Sequence, residues 1–396
     1  MKLRGTRLKS STGLIGAGAL LGARNLFAEE EKKESPPPEK PPKPKTNIEE
    51  ALKFPKTKYS LPGLFPGRVI EVHNEKALIE NKFDPKVINA MFEKGITQLT
   101  GKNLAESFAL FFEKNDVVGI KVNPTGGGLI CSRPEVVSPI IDWLVKGGIP
   151  KKNIILWDRF DMELKDAGFT PQRFPDIGIE YMQIIDVEAA EGKSKDDSRW
   201  LRPDGRHVSE DNFDKKIYYW ADVDGPKDKP YLNQHVVNGK YSYFGKLVTQ
   251  KLTKIINVPV LKNTGNGISV ATKNIGYGVI CNTGRLHKSV FFDVCVEVLA
   301  FPAIRDKLVL NITDGLRGQY DGGPMPDAKF IYTNNSLLFA TDPFALDMIC
   351  HNQIVEKRKS MKVKVNEHPM YTDYLRYAQK LGLGITDVNK IKYLRV

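Results

Sequence analysis

The chain has few cysteines, and their spacing argues against the sites that cysteines usually build. Cys131, Cys281, Cys295 and Cys350 are the only four, and no two of them form a C-x-x-C pair. Iron–sulfur clusters and structural zinc ions are held by closely spaced cysteines, so neither is expected. For Cys131 and Cys281 we favour unpaired, partly buried thiols; the alternatives are a disulfide between them or one reactive thiol.

Long apolar runs and several well-known motifs are also missing. The apolar run Thr12–Ala23 is too short to span a bilayer comfortably, so we expect no integral membrane span in the mature protein. No G-x-S-x-G, no Walker loop and no G-x-G-x-x-G after a strand occurs, which leaves the reaction class open. The net charge of +12 is mild for 396 residues and forms no basic stripe with aromatics, so nucleic acid is not an expected partner.

The N-terminal part has the composition of a targeting segment. Four basic residues in Met1–Lys9 precede the short apolar run, and Leu26-Phe27-Ala28 precedes an acidic stretch. This order is typical of a secretory signal, which predicts a signal peptide at 1–28 and a periplasmic or extracellular protein. Arg4 and Arg7 are not adjacent, so the general and the twin-arginine routes both stay open. Residues 29–62, rich in Pro, Lys and Glu, are predicted to be a disordered linker.

The remainder, residues 63–396, has the pattern of an α/β domain. Apolar strands are predicted at Val117–Asn123, Ile154–Asp158, Ile255–Leu261 and Leu308–Thr313, with helical periodicity between them. This order predicts a mainly parallel sheet flanked by helices. Residues from about 186 to 250 are polar and carry short alternating runs, so we expect a small inserted subdomain of mixed strands and loops outside the main sheet.

Each of these four strands ends at a charged or amide side chain followed by a loop. Ligands of open α/β sheets sit outside the carboxyl ends of the parallel strands, so the four ends together indicate a binding site. Glycine turns and cationic side chains suit a phosphate or a carboxylate. The predicted ligand-binding residues are Lys121, Asn123, Gly126, Gly127, Gly128, Lys273, Asn274 and Arg285.

Three further residues are candidates for chemistry. Lys262 would polarise the bound anion, and His287 or Asp314 would move a proton. Alternatively, Asp158 and Asp314 would hold a divalent metal ion; no other cofactor is indicated. The cationic neighbours of His287 disfavour its protonated form. Asp342 followed by Pro343 fits a helix N-cap better than a site, and we expect Asp347, one turn later, to be a buried partner for a lysine.

The motifs resemble a family known as domain of unknown function 362. The similar segments are IKVNPTGGG, IILWDR, PVLKNTGNGISVATKNIGYG, LHK, ITDGLRGQYDGGP and ATDPFALD, in that order, between about Gly67 and Asn352. The resemblance implies the fold and a pocket but no reaction. Some relatives carry a ferredoxin-like cysteine region, which this chain lacks, so it would be an exported branch without the cluster.

Two functions are consistent with these observations. The first is an exported enzyme that acts on a small anionic substrate, with electrostatic stabilisation of developing negative charge as the main source of catalysis. The second is a non-catalytic exported protein that binds an anion. Two proton-transfer groups in one pocket would favour the enzyme.

Overall fold

The computed structural model describes one folded unit in residues 43–184, 202–204, 206–223, 236–237, 239–265, 267–287, 289–365 and 370–396. Its strands are β1 (Arg68–His73), β2 (Leu78–Ile79), β3 (Lys82–Phe83), β4 (Val118–Val122), β5 (Ile154–Phe160), β6 (Gly178–Gln183), β7 (Phe213–Trp220), β8 (Tyr241–Gly245), β9 (Lys254–Val258), β10 (Val260–Thr264), β11 (Gly267–Ile268), β12 (Leu308–Gln319), β13 (Ile331–Ala340) and β14 (Lys392–Arg395).

The helices alternate with these strands along the chain. They are α1 (Ile48–Leu52), α2 (Pro85–Thr100), α3 (Leu104–Phe111), α4 (Pro134–Lys146), α5 (Asp161–Asp166), α6 (Ala271–Gly276), α7 (Phe291–Ala300), α8 (Pro302–Arg305), α9 (Pro343–Ser360) and α10 (Met370–Lys380). The cap predicted for α9 is present, since the Asp342 carboxylate accepts the N–H groups of Phe344 and Ala345, both at 3.0 Å.

The central sheet has the order β14-β1-β13-β12-β9-β4-β5-β6, and β10 and β11 extend it beside β12. The run from β12 to β6 is parallel, and it contains the four predicted strands as direct neighbours. β13 is antiparallel to both of its neighbours. The prediction of an α/β fold with a mainly parallel sheet is therefore confirmed.

The sheet is covered on both faces, as the alternation of side chains along β5 illustrates. Ile154 and Leu156 pack with α2, α3 and α4 on one face. Ile155 and Trp157 pack on the other face with α6, α7 and the β7–β8 hairpin. Burial on both faces explains why the central strands are almost continuously apolar up to the points where they end.

The described part of the predicted insertion lies outside the central sheet. β7 and β8 form a separate antiparallel pair, with Trp220 opposite Tyr241. Phe213, Tyr219 and Phe244 of this hairpin are buried in the core beneath it, so the hairpin is packed firmly onto the domain.

The N-terminal boundary differs from the prediction. Residues 1–42, with the predicted signal peptide and most of the linker, lie outside the described residues. Residues 43–62 were predicted to be disordered, but they contain α1, and Ile48, Ala51 and Leu61 are buried in the core. The prediction extended the Pro/Lys/Glu-rich linker too far along the chain. It overlooked the three-residue spacing of Ile48 and Ala51, which places both on the side of a helix that faces the core.

No helix in the described part of the chain is long and apolar enough to cross a membrane.

Candidate functional site

A small cavity of about 180 Å³ opens at the carboxyl ends of β4 and β5, beneath α6. This volume is below the roughly 300–1,000 Å³ typical of sites for drug-sized ligands, so the cavity suits a small molecule. Its lining residues are Lys121, Asn123, Thr125, Asp158, Arg159, Phe160, Glu163, Ser269, Lys273, Asn274, Tyr277, Gly278, Thr283 and His287.

A buried ion pair joins the ends of the two strands. Lys121 is the fourth residue of β4, and its ammonium group donates to the Asp158 carboxylate of the adjacent strand β5. The same ammonium group donates to Asn274 Oδ1 at 3.0 Å and to the Val122 carbonyl at 2.7 Å, which uses all three of its N–H bonds. Lys121 is 1 % exposed, so the pair is shielded from water and its geometry is fixed by the sheet register.

A chain of hydrogen-bonded, buried amide side chains fixes the orientation of the Asn274 amide beside this ion pair. Asn257 Nδ2 donates to Asn311 Oδ1 at 2.9 Å, and Asn274 Nδ2 donates to Asn257 Oδ1 at 2.8 Å. Asn274 therefore presents its oxygen to Lys121 and to Asn123 Nδ2, which lies 3.1 Å away. Asn123 and Asn274, both predicted to bind ligand, line the cavity as one connected unit.

Lys262 lies below the cavity and does not line it. The chain stays extended past the predicted end of the strand. β9 ends at Val258, Pro259 interrupts the pairing, and β10 then continues through Lys262. The ammonium group donates to Asn123 Oδ1 at 2.8 Å and to the Thr125 carbonyl at 3.3 Å. Burial, and then the neighbouring charge of Lys273, lower the pKa of Lys262 to about 7.

Lys273 is the cation with the fewest partners. Its ammonium nitrogen lies 5.3 Å from the centroid of the Tyr277 ring and 5.6 Å from that of Phe291, within range of a cation–π interaction. In the part of the chain that the structure describes, it has no hydrogen-bond acceptor and no carboxylate partner. Burial lowers the pKa of Lys273, and the nearby charge of Lys121 lowers it further.

The short helix α6, which carries Lys273 and Asn274, is held from below by Asp347 of α9. The carboxylate of Asp347 accepts the N–H groups of Ala271 at 2.8 Å and Thr272 at 3.0 Å, together with the Thr272 hydroxyl. Asp347 thus binds backbone and not, as predicted, a lysine. After α6 the chain passes so close to Lys121 that a Cβ at Gly278 would lie 2.6 Å from the Lys121 Cε atom.

Glu163, a carboxylate that the sequence patterns did not single out, lines the cavity from α5. Its Oε2 atom accepts a hydrogen bond of 2.9 Å from the Thr125 hydroxyl. Burial, and then the negative charge of Asp158, raise the pKa of Glu163 to about 7. The available signal was its place in the first turn after a strand that ends in Asp158, but a charged residue on a short helix is usually solvated.

Arg159 also lines the cavity, and the sequence patterns gave it no role. Its guanidinium group donates to the Thr283 hydroxyl at 2.6 Å and to Gln183 Oε1 at 3.0 Å, and it lies over the Phe160 ring. Burial lowers the pKa of Arg159 to about 10, which leaves it cationic at neutral pH.

His287 stands at the mouth of the cavity, where it remains exposed to solvent. Its ring lies 4.5 Å from that of Tyr277, and Nδ1 lies 2.8 Å from the Thr283 carbonyl oxygen. Because a carbonyl only accepts, Nδ1 carries the proton and Nε2 is the free acceptor of the neutral ring. Packing against protein lowers the pKa of His287 to about 4, with a smaller effect from Lys273. The direction agrees with the expectation, and the described causes are burial first and then the charges of Lys273 and Arg159.

The structure does not bring Asp314 to the cavity. Its carboxylate accepts the N–H groups of Arg133 at 2.8 Å and Leu316 at 3.2 Å, and burial raises its pKa to about 6. Asp158 is paired with Lys121, so the two aspartates predicted to share a metal ion have separate partners. No group of three or more His, Cys, Asp or Glu side chains within the described ranges is arranged to hold a metal ion.

Arg285 and the glycine loop also lie outside the cavity lining. Arg285 is buried under the β7–β8 hairpin, where it donates to the Ala221 carbonyl at 3.0 Å. Residues 126–128 form a turn with positive φ at Gly126 (110°) and Gly127 (52°). Arg133 holds this turn through the Gly128 carbonyl at 2.7 Å. Both elements therefore support neighbouring segments of the fold and do not reach the cavity.

Two of the four cysteines lie near the site but do not pair. Cys131 and Cys281 are free, buried thiols on opposite faces of the sheet. Burial raises the pKa of Cys131 to about 11 and that of Cys281 to about 12, so both are protonated at neutral pH. A disulfide between them is therefore absent, and neither has the character of a reactive thiolate.

Fold and cavity together define a class: an α/β protein with a cationic cavity at the carboxyl edge of a parallel sheet. Residues 219–352 match the model of the family described as Domain of unknown function (DUF362). The match covers the segments with Lys262, Lys273, Asn274 and His287, whereas the motifs around Lys121 and Asp158 precede it. No curated protein matches this chain significantly.

Proposed function

We propose that this protein is an exported enzyme that acts on a small anionic substrate, a carboxylate or a phosphate, bound in the cavity beneath α6. The observation that carries the proposal is the balance of charge. Lys121 and Asp158 neutralise each other, and Glu163 is about half protonated at neutral pH. Lys273 is then the cation of the cavity lining that has no hydrogen-bond acceptor or carboxylate among the described residues, and a bound anion would balance its charge.

An enzyme is favoured over a binding protein by two groups suited to proton transfer. Glu163, with a pKa of about 7, exists in both protonation states at neutral pH. His287 is neutral there and has Nε2 free to accept a proton. Both line the same cavity, which is the arrangement that general acid–base chemistry requires. Anion binding without turnover of any substrate would favour the alternative, an accessory binding protein.

Binding of a small anion tests the site. Isothermal titration calorimetry with oxalate and with inorganic phosphate should detect binding to the full chain. Lys273→Met should weaken it roughly 10- to 150-fold, because an interaction with a charged group contributes about 1.5–3 kcal/mol. The matched control is Lys380→Met, which removes an exposed lysine at the end of α10 and should bind like the wild type. Equal affinity of the Lys273→Met and Lys380→Met variants would contradict the proposal.

The affinity should also fall as the pH rises through about 7. Above that pH Glu163 becomes negative and Lys262 loses its charge, since both have a pKa of about 7. Both changes make the site less positive, so sulfate, whose own charge is constant in this range, should bind more weakly at pH 8.5 than at pH 6. Glu163→Gln removes one of the two titrations and should flatten the profile. A profile that rises with pH would show that other groups control binding.

Export is supported by the N-terminal sequence alone, with its basic start, short apolar run and Leu26-Phe27-Ala28. N-terminal sequencing of the protein isolated from its host should give a mature chain that starts near residue 29. An intact chain retained inside the cell would contradict this part of the proposal.

A further inference from the structure

The three lysines at the site differ in how their nitrogen atoms are used. Lys121 donates to three acceptors, so its lone pair is not available for chemistry. Lys262 donates to Asn123 and Thr125 and does not line the cavity. Lys273 lines the cavity, and in the described ranges of the chain no acceptor or carboxylate engages its nitrogen. Lys273 is thus the lysine whose amine can meet a bound molecule.

The surroundings of Lys273 make its neutral amine more accessible than that of a solvated lysine. The rings of Tyr277 and Phe291 pack near the nitrogen and limit its contact with water. Burial lowers the pKa of Lys273, and the positive charge of Lys121 lowers it further. A desolvated lysine next to other cations is the arrangement that makes an amine nucleophilic at neutral pH.

We propose that Lys273 is the nucleophile of this site and forms a Schiff base with a small 2-oxo carboxylate. The inference rests on the proposed function, that the cavity binds an anionic substrate, and it narrows the substrate class. The carbonyl carbon of such a molecule would meet the amine, and its carboxylate would balance the positive charge of the iminium ion that forms at Lys273. A cavity of about 180 Å³ limits the substrate to a few carbon atoms beyond these two groups.

The chemistry is a condensation without any change of oxidation state. The lone pair of Lys273 Nζ attacks the carbonyl carbon, and the carbonyl oxygen takes a proton from protonated Glu163. The attacking nitrogen then returns a proton to Glu163. A second proton from Glu163 allows the hydroxyl group to leave as water while the nitrogen lone pair forms the C=N bond. The resulting iminium ion withdraws electrons from bonds at the neighbouring carbon atoms, which suits a lyase or decarboxylase.

Reductive trapping tests the inference. The full chain is incubated with pyruvate or with 2-oxoglutarate in the presence of sodium cyanoborohydride, and the intact mass is measured, followed by peptide mapping. With pyruvate we expect a single adduct at Lys273, with the mass of pyruvic acid less one oxygen atom. Lys273→Arg keeps the positive charge but should give no adduct. Lys380→Arg, the matched surface control, should trap like the wild type. An excess of oxalate should suppress the adduct.

Three results would overturn the inference, and they separate it from the proposed function. If oxalate binds in calorimetry but neither 2-oxo acid is trapped at Lys273, the anion site stands and the Schiff base does not. If trapping occurs to the same extent at exposed lysines and oxalate does not suppress it, the reaction is non-specific. If neither oxalate binding nor trapping is found, the Schiff base and the anion site both fail.

Discussion

Replacing Asp158 with alanine should lower the free energy of unfolding by about 3–5 kcal/mol, because it leaves the Lys121 ammonium group buried without a counter-ion. Lys121 is 1 % exposed, so water cannot replace the lost carboxylate. Its two remaining acceptors, Asn274 Oδ1 and the Val122 carbonyl, are neutral and do not compensate a full charge. Urea denaturation monitored by tryptophan fluorescence gives the measurement, since Trp157 lies beside the pair.

Two control variants show whether the effect comes from burial of the charge. Lys151→Ala breaks the exposed pair with Asp176 and should cost at most about 1 kcal/mol. The double variant Lys121→Met with Asp158→Leu removes both charges and should recover most of the stability. The double variant should nevertheless bind anions poorly, because the cavity loses the ion pair that holds its lining residues in place. A cost of Asp158→Ala no larger than that of Lys151→Ala would contradict the role assigned to the pair.

Asp347→Ala should destabilise the protein by at least about 3 kcal/mol and also weaken anion binding. The substitution leaves the N–H groups of Ala271 and Thr272 and the Thr272 hydroxyl without their acceptor, and each buried donor left unpaired costs about 1–3 kcal/mol. These groups form the start of α6, so the helix that carries Lys273 should lose its fixed position. Urea denaturation gives the first effect, and calorimetry with oxalate gives the second.

The matched control for this variant is Asp373→Ala on α10. Asp373 pairs with Arg376 at 3.0 Å, both are exposed, and the expected cost is below about 1 kcal/mol. Full retention of anion affinity in Asp347→Ala, under conditions in which the variant is folded, would show that α6 does not depend on Asp347 for its position.

Local patterns predicted several elements and part of the site. Apolar runs that end at a polar residue identified β4, β5 and β12 as members of one mainly parallel sheet, because burial on both sheet faces leaves a clear signal in the sequence. The same reasoning placed Lys121, Asn123 and Asp158 at one edge of the sheet, and the structure finds them in one cavity. A local rule also sufficed for Asp342, since an N-cap is recognised within three residues.

Other predicted site residues do not line the cavity, because they hydrogen-bond to groups that are distant in the sequence and close only in the fold. Asp314 and Arg285 look like site residues at a strand end and in a cationic loop, but their partners are backbone groups brought close only by the fold. Glu163 was overlooked for the opposite reason: an ordinary helical glutamate becomes a group with a pKa of about 7 only when the cavity closes over it.

The sequence by itself determined the fold class, the parallel strands and the kind of sheet edge at which polar side chains converge, because these follow from periodicity and from the direction of the chain. Only the tertiary structure decided which of those side chains face the cavity and in which protonation state. Lys121 meets Asp158 across 37 residues of sequence and Asn274 across 153. Such distant partners occupy all the hydrogen bonds of Lys121 and leave the amine of Lys273 open to a ligand. Local sequence patterns do not contain this information, because it depends on which groups the fold buries together.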